Sequence, residues 1–307
     1  MNNQIRTTLL LAVMTGFIVW IGGLMGGRGG MVMALVFAAA MNFFSYWFSD
    51  RIVLSMYKAE EATPGQAPEL HEMVRDLARK AGLPMPRIYV IPEEAPNAFA
   101  TGRDPDHAVV AVTEGLLRLM DRQEIMGVLA HELGHVKNRD ILIGSIASTM
   151  AGAVMLLANM ARWSALFGGV RSDDEGGGGM GGIGLILTSI LAPIAALLIQ
   201  MAISRSREYL ADETAARLAG GPDGLSRALE KLGAYSGRLA LNARPETAHM
   251  FTVNPLSGSG LMSLFSTHPP LDVRIAKLRG VPRDPGPGGG KNRPPEKNEN
   301  IWDRLSG

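Results

Sequence analysis

Four runs of this sequence hold no charged residue: 7–27, 29–49, 141–161 and 176–204, the last densely apolar over Ile183–Ile203. Each is about the ~20 residues with which a helix crosses ~30 Å of hydrocarbon. The first two flank Gly26–Gly30 and predict a helical hairpin over residues 1–50. The other two predict a second hairpin over 141–203. Polar segments 51–140 and 204–280 alternate with the hairpins, and a tail rich in Pro, Gly and charge fills 281–307. The tail cannot bury enough apolar surface to offset its conformational entropy and is expected to be disordered.

The polar segments change period along their length. From Glu69 to Ala81, residues Leu70, Met73, Val74, Leu77 and Ala81 recur at helical spacing, and Gly82 and Pro84 stop the helix. Short β-rich runs follow at Arg87–Ile91 and His107–Thr113, with Asn97–Gly102 between them. Asp121 with Glu124 three residues on forms a capping-box pattern, and Ile125, Val128, Leu129, Leu133 and Val136 make the buried stripe of the next helix. The expected fold is mainly α with a small β-sheet, on a multi-span membrane protein.

Composition narrows the partners. Charged residues are 19% of the total, below the roughly 25% usual in soluble domains. The net charge of +1 says nothing about nucleic acid, but no dense basic run appears, so no nucleic-acid partner is expected. The sequence has no cysteine, so any metal must be held by His, Asp or Glu. Arg51, Lys58, Lys137, Arg139, Arg205 and Arg207 flank the apolar runs on one side. The other side has Arg28, Arg162 and Arg171, offset by Asp173, Asp174 and Glu175. The excess of Lys and Arg places both polar segments in the cytoplasm. The second hairpin either crosses the bilayer fully or, kinked at Pro193, dips in and leaves by the same face. The glycines at 176–184 lack the Lys-Ser/Thr ending of a phosphate loop and read as a flexible connection.

The segment His131-Glu132-Leu133-Gly134-His135 holds the chemistry. Histidines at i and i+4 lie one turn apart on one helix face, within reach of a single Zn²⁺ at ~2.0–2.1 Å. Bound zinc lowers the pKa of water from 15.7 to about 7, and Glu132 can take the water's proton and pass it to the departing amine. A hydrolytic zinc needs a third protein ligand. No histidine follows at the spacing of a three-histidine site; Glu208 and Asp212, again i and i+4, are the better candidates. Glu208 can ligate, and Asp212 can accept the free ring N–H of a ligating histidine. His71, His107 and His249 read as structural or surface residues.

These motifs, together with Asn97–Gly102, Asn254-Pro255-Leu256-Ser257 and Thr267-His268-Pro269-Pro270, resemble the HtpX-type membrane metalloproteases, relatives of the CaaX prenyl proteases. The likeness covers about residues 1–280. It implies one zinc per molecule held by His131, His135 and Glu208, with Glu132 as general base and Asp212 as the carboxylate behind a histidine. It also implies a gluzincin-like peptidase domain in the bacterial inner membrane, cleaving damaged or misfolded membrane proteins under stress. Asn97, Ala98 and Phe99 resemble the family's substrate-binding edge strand, the alternative being that Asn97 merely shapes the turn after Pro96. His268 could donate to the oxyanion of the tetrahedral intermediate, or cap or pack near Asp272. Two other functions remain in view: a peptidase with one dedicated processing substrate, and a zinc-stabilised membrane scaffold or chaperone. A scaffold has no use for Glu132 beside the first ligand.

Overall fold

The computed structural model describes residues 3–151, 153–154, 205–236 and 269–280. Most of the second hairpin, the Gly-rich stretch, His249, Asn254–Ser257, His268 and the tail lie outside the described residues. The architecture is mostly helical with one small mixed sheet. Helix α1 (Asn3–Met56) doubles back at Gly27, where φ is 56°. Glycine tolerates that left-handed backbone because it has no Cβ. The two arms meet: Asn42 Nδ2 donates to Thr15 Oγ1 at 2.8 Å, which a straight helix would separate by about 40 Å.

After α1 come β1 (Glu60–Glu61), α2 (Pro68–Ala81), β2 (Arg87–Ile91), β3 (Ala98–Thr101), a 3₁₀ turn (Pro105–His107) and β4 (Val109–Thr113). Helices α3 (Glu114–Leu119), α4 (Arg122–Lys137) and α5 (Ile141–Ala151) follow, then α6 (Arg205–Ala219), α7 (Asp223–Ser236) and α8 (Leu271–Leu278). The strand order is β1-β2-β4-β3, with β2 parallel to β4 and the outer pairs antiparallel. β3 is therefore an edge. Its partner β4 is buried on both faces, which explains its unbroken apolar run: Val110 and Val112 face the main core, while Val109 and Ala111 pack with Val53, Leu54 and Phe99.

Local signals behave as their chemistry requires. Gly82 caps α2 at φ 69°, and Leu83 N–H bonds back to the Ala78 carbonyl. Asp121 and Glu124 form the reciprocal capping box, worth about 1 kcal/mol. The expected strand His107–Thr113 begins later, at Val109, because Asp104 caps the 3₁₀ turn and takes the His107 ring at 2.6 Å. His107 thus has a partner the pattern did not suggest. His71 ties α2 to the segment beside β1 through the Ala62 carbonyl at 2.7 Å.

The largest departure concerns α4. The expected stripe is buried, but so are Ala130, His131, Glu132 and Gly134. α4 is a central helix, covered by α2, the sheet, α6 and α7. Gly134 permits a close approach of α6: a Cβ there would stand 3.2 Å from Ala211 Cα, tighter than ordinary packing allows. That contact sets α6 against the histidines.

Candidate metal centre

The two arms of the site come from α4 and α6. His131 Nε2 and His135 Nε2 are 3.2 Å apart. Glu208 Oε2 lies 3.7 Å from the first nitrogen, and Glu208 Oε1 lies 3.6 Å from the second. A tetrahedral ion with bonds of ~2.0–2.1 Å separates its ligands by roughly 3.3–3.5 Å; one donor atom from each of the three residues lies within 4.8 Å of the others, close enough to converge on one such ion. His131, His135 and Glu208 are the residues, among those described, that could hold a metal together. His131 and Glu208 are buried and His135 is largely so.

Asp212, one turn beyond Glu208, receives the His131 Nδ1 side of the ring at 2.9 Å. Asp140 stands at 3.2 Å from His135 Nδ1. Each histidine therefore turns Nε2 to the centre and Nδ1 to a carboxylate, the arrangement that fixes ring orientation in metal sites. Glu132, also buried, accepts from the backbone N–H of Ala100 on β3 at 3.0 Å.

Arg274 of α8 completes the cluster. It is fully buried and grips Asp212 with two hydrogen bonds, Nε to Oδ2 at 2.9 Å and Nη2 to Oδ1 at 2.7 Å. Its Nη1 is 3.7 Å from Glu208 Oε2. The guanidinium neutralises part of the charge of these carboxylates, whose burial unpaired would be very costly. Burial alone would raise the pKa of Asp212, but the charge of Arg274 and the bond from His131 overcome it and hold it at about 2. Burial likewise works against a charged His135, but Asp140, Glu208 and Glu132 outweigh it and raise its pKa to about 10. The field at the site favours a cation.

Sequence reasoning alone misses Arg274 and Asp140 as site residues. A signal exists for the first: Arg274 occupies the stripe of Leu271, Ile275 and Leu278, where an apolar residue belongs. The candidate substrate residues fare differently. Asn97 is buried, its N–H bonded to Thr113 Oγ1 and its carbonyl to Thr113 N–H, so its backbone starts β3. The Phe99 side chain packs in the core against Tyr57, ring centroids 5.8 Å apart, and its backbone faces β4. With Asn97 and Thr113 a hydrogen-bonded pair, the alternation turns the backbone of Ala98 and Ala100 to the outer edge.

This geometry has known relatives. The profile of peptidase family M48 matches residues 64–281. The chain belongs to peptidase family M48. It is similar to the "Protease HtpX homolog" of Desulforapulum autotrophicum, 62% identical over 99% of this chain and 100% of that protein. The protein of that name from Desulfatibacillum aliphaticivorans is 60% identical over the same shares. The one from Pyrococcus furiosus is 56% identical over 92% of this chain and 97% of its own. Like other members of family M48, this protein is a metalloprotease. The crystal structure of S. mikatae Ste24p shares the fold, with a TM-score of 0.50 and 22% identity, covering 90% of this chain and 65% of that one.

Proposed function

We propose that this M48 peptidase is a zinc endopeptidase set in a membrane, which hydrolyses peptide bonds of damaged or misfolded membrane proteins. The observation that carries this reading is the triangle of His131, His135 and Glu208 with Glu132 beside it. Two neutral imidazoles and one carboxylate are a hydrolytic zinc donor set. Zinc held there would make water a nucleophile at neutral pH and draw charge from the scissile carbonyl. Glu132 takes the proton of the attacking water and delivers it to the departing amine. The Ala100 N–H orients its carboxylate for both transfers. By resemblance to the family's edge strand, an extended substrate would lie along Asn97–Gly102. His268 remains a proposed oxyanion donor, tested by whether His268→Ala lowers kcat more than it raises KM.

The test is degradation of an unfolded membrane protein by the purified enzyme in detergent. Chelation should abolish cleavage, and stoichiometric zinc should restore it. Cleavage that persists after complete metal removal would sink the reading.

The bilayer placement rests on exposed apolar surface. Gly27–Met56 is long and apolar enough to cross a membrane, with 11% of its most apolar window buried. Trp20 is 60% and Met33 72% exposed, an arrangement that water penalises and lipid favours. With the asymmetry of Lys and Arg, this supports an inner-membrane protein whose peptidase segments face the cytoplasm. Since the native sequence has no cysteine, single cysteines report topology cleanly. Arg79, whose side chain is 80% exposed on α2, and Ser172, in the sequence between the later apolar runs, serve as positions. A membrane-impermeant thiol reagent outside intact cells should label Ser172→Cys and spare Arg79→Cys. The reverse pattern inverts the orientation.

A further inference from the structure

One buried carboxylate near the centre has no part in the mechanism above. Asp140 follows α4 and immediately precedes α5, and its side chain is 3% exposed. Its Oδ2 faces His135 Nδ1 at 3.2 Å, and its Oδ1 has no hydrogen-bond partner among the described residues. No helix amide of α5 is capped by this side chain among the described residues; Gly144 N–H reaches the Asp140 backbone carbonyl instead, at 3.4 Å. Burying a carboxylate for structure alone would call for more partners than one.

The backbone is arranged to make that single contact. Arg139 adopts φ 56°, a left-handed conformation unfavourable for a residue with a side chain. The turn sends Asp140 N–H back to the His135 carbonyl at 3.2 Å and brings the carboxylate alongside the ring it follows by five residues. The opposite nitrogen, Nε2, faces His131 and Glu208. The ring is held from both ends, with Nδ1 as the atom that needs an acceptor.

We propose that Asp140 is a positioning residue for the peptidase reaction: it fixes the orientation and tautomer of His135, so that Nε2 is presented to the metal. The proposal rests on the reading of His135 as a ligand. Asp212 acts on His131 in the same way from α6, so each histidine of the pair has its own carboxylate from a different element. One turn into α5, Ser145 Oγ meets Thr101 Oγ1 at 2.6 Å and Gly102 N–H at 3.4 Å, at the end of β3. β3 in turn holds Glu132 through Ala100. The start of the apolar helix α5 therefore braces a metal ligand and the strand that orients the base.

The experiment compares Asp140→Asn and Asp140→Ala in the full-length protein in detergent. Zinc affinity is measured by competition with a chromophoric chelator, the visible spectrum is recorded with cobalt(II) in place of zinc, and melting is followed for the metal-free protein. Asp140→Ala should bind zinc about 10–100-fold more weakly and show an altered cobalt spectrum. Asp140→Asn keeps an acceptor oxygen for Nδ1–H and should fall between it and the parent protein. Metal-free melting should stay near that of the parent. Unchanged affinity and spectrum in both variants overturn the proposal. So does an alanine variant that weakens zinc only as far as it lowers metal-free melting. If the alanine variant does not fold, the affinity of Asp140→Asn decides: parental affinity refutes the role. His135→Ala in the same assay separates the two readings. Parental affinity there refutes the ligand assignment itself, whereas loss there with none at Asp140 refutes only the positioning role.

Discussion

Glu132→Gln should leave a folded protein that still takes up metal but cleaves ~10²–10⁴-fold more slowly. Glutamine matches glutamate in shape, and its carbonyl oxygen can still accept from the Ala100 N–H that Glu132 Oε2 now engages at 3.0 Å. His131, His135 and Glu208 are untouched, so the metal site survives. What disappears is a nearby carboxylate that belongs to no ligand and backs no histidine. The measurement pairs metal content by atomic absorption with turnover of an unfolded membrane substrate. A variant with parental turnover would falsify the base assignment. One that lost its metal would instead move Glu132 into the set of groups that hold the ion.

Removing a ligand acts at the other end of the chemistry. His131→Ala, His135→Ala and Glu208→Ala should each lose stoichiometric zinc and, with it, measurable activity. Each deletes one of three side chains whose donor atoms approach one another to 3.2–3.7 Å, and two donors cannot keep a hydrolytic ion in place. Asp212→Asn should be milder, at about 10–100-fold in affinity or activity, because it weakens the hold on His131 without removing a donor. In the parent protein, zinc affinity should rise with pH. His135 keeps its proton up to about 10, so a metal that takes Nε2 must release it, and acid opposes that release. Chelator competition at several pH values checks both statements. If Glu208→Ala bound zinc as tightly as the parent, the third donor would have to be another carboxylate or His249.

The site was legible where it depends on short-range geometry. Histidines at 131 and 135 face one way because a helix repeats every 3.6 residues, and the same arithmetic pairs Glu208 with Asp212. The capping box at Asp121 and Glu124 and the stop at Gly82 are equally local. The reversal near Gly26–Gly30 was readable for a related reason: two uncharged runs, each long enough to cross a bilayer and separated by a glycine cluster, call for a turn between them. Arg274 was harder to place. Its position in an apolar stripe marks it as unusual, but nothing in residues 269–280 names a partner 62 positions earlier. Phe99 depends on pairing in the same way: its place in the strand fixes neither the face it takes nor the edge its backbone meets, and packing on β4 and Tyr57 set both.

By itself the sequence determined the histidine and carboxylate side chains of the site, their spacing along two helices, the glutamate beside them, the apolar runs and the mixture of helices with a small sheet. Each of these follows from periodicity and from side-chain chemistry within a few residues. The tertiary structure alone decided that α4 is buried on nearly all sides, so that its polar residues must pair with one another. It also decided that Gly134 lets α6 close to contact, that β3 is the edge strand holding Glu132, and that Arg274 and Asp140 brace the two histidines. Those outcomes depend on how separate elements meet. The contact between two packed surfaces is set by the shape and charge of both, and no single segment of sequence holds both.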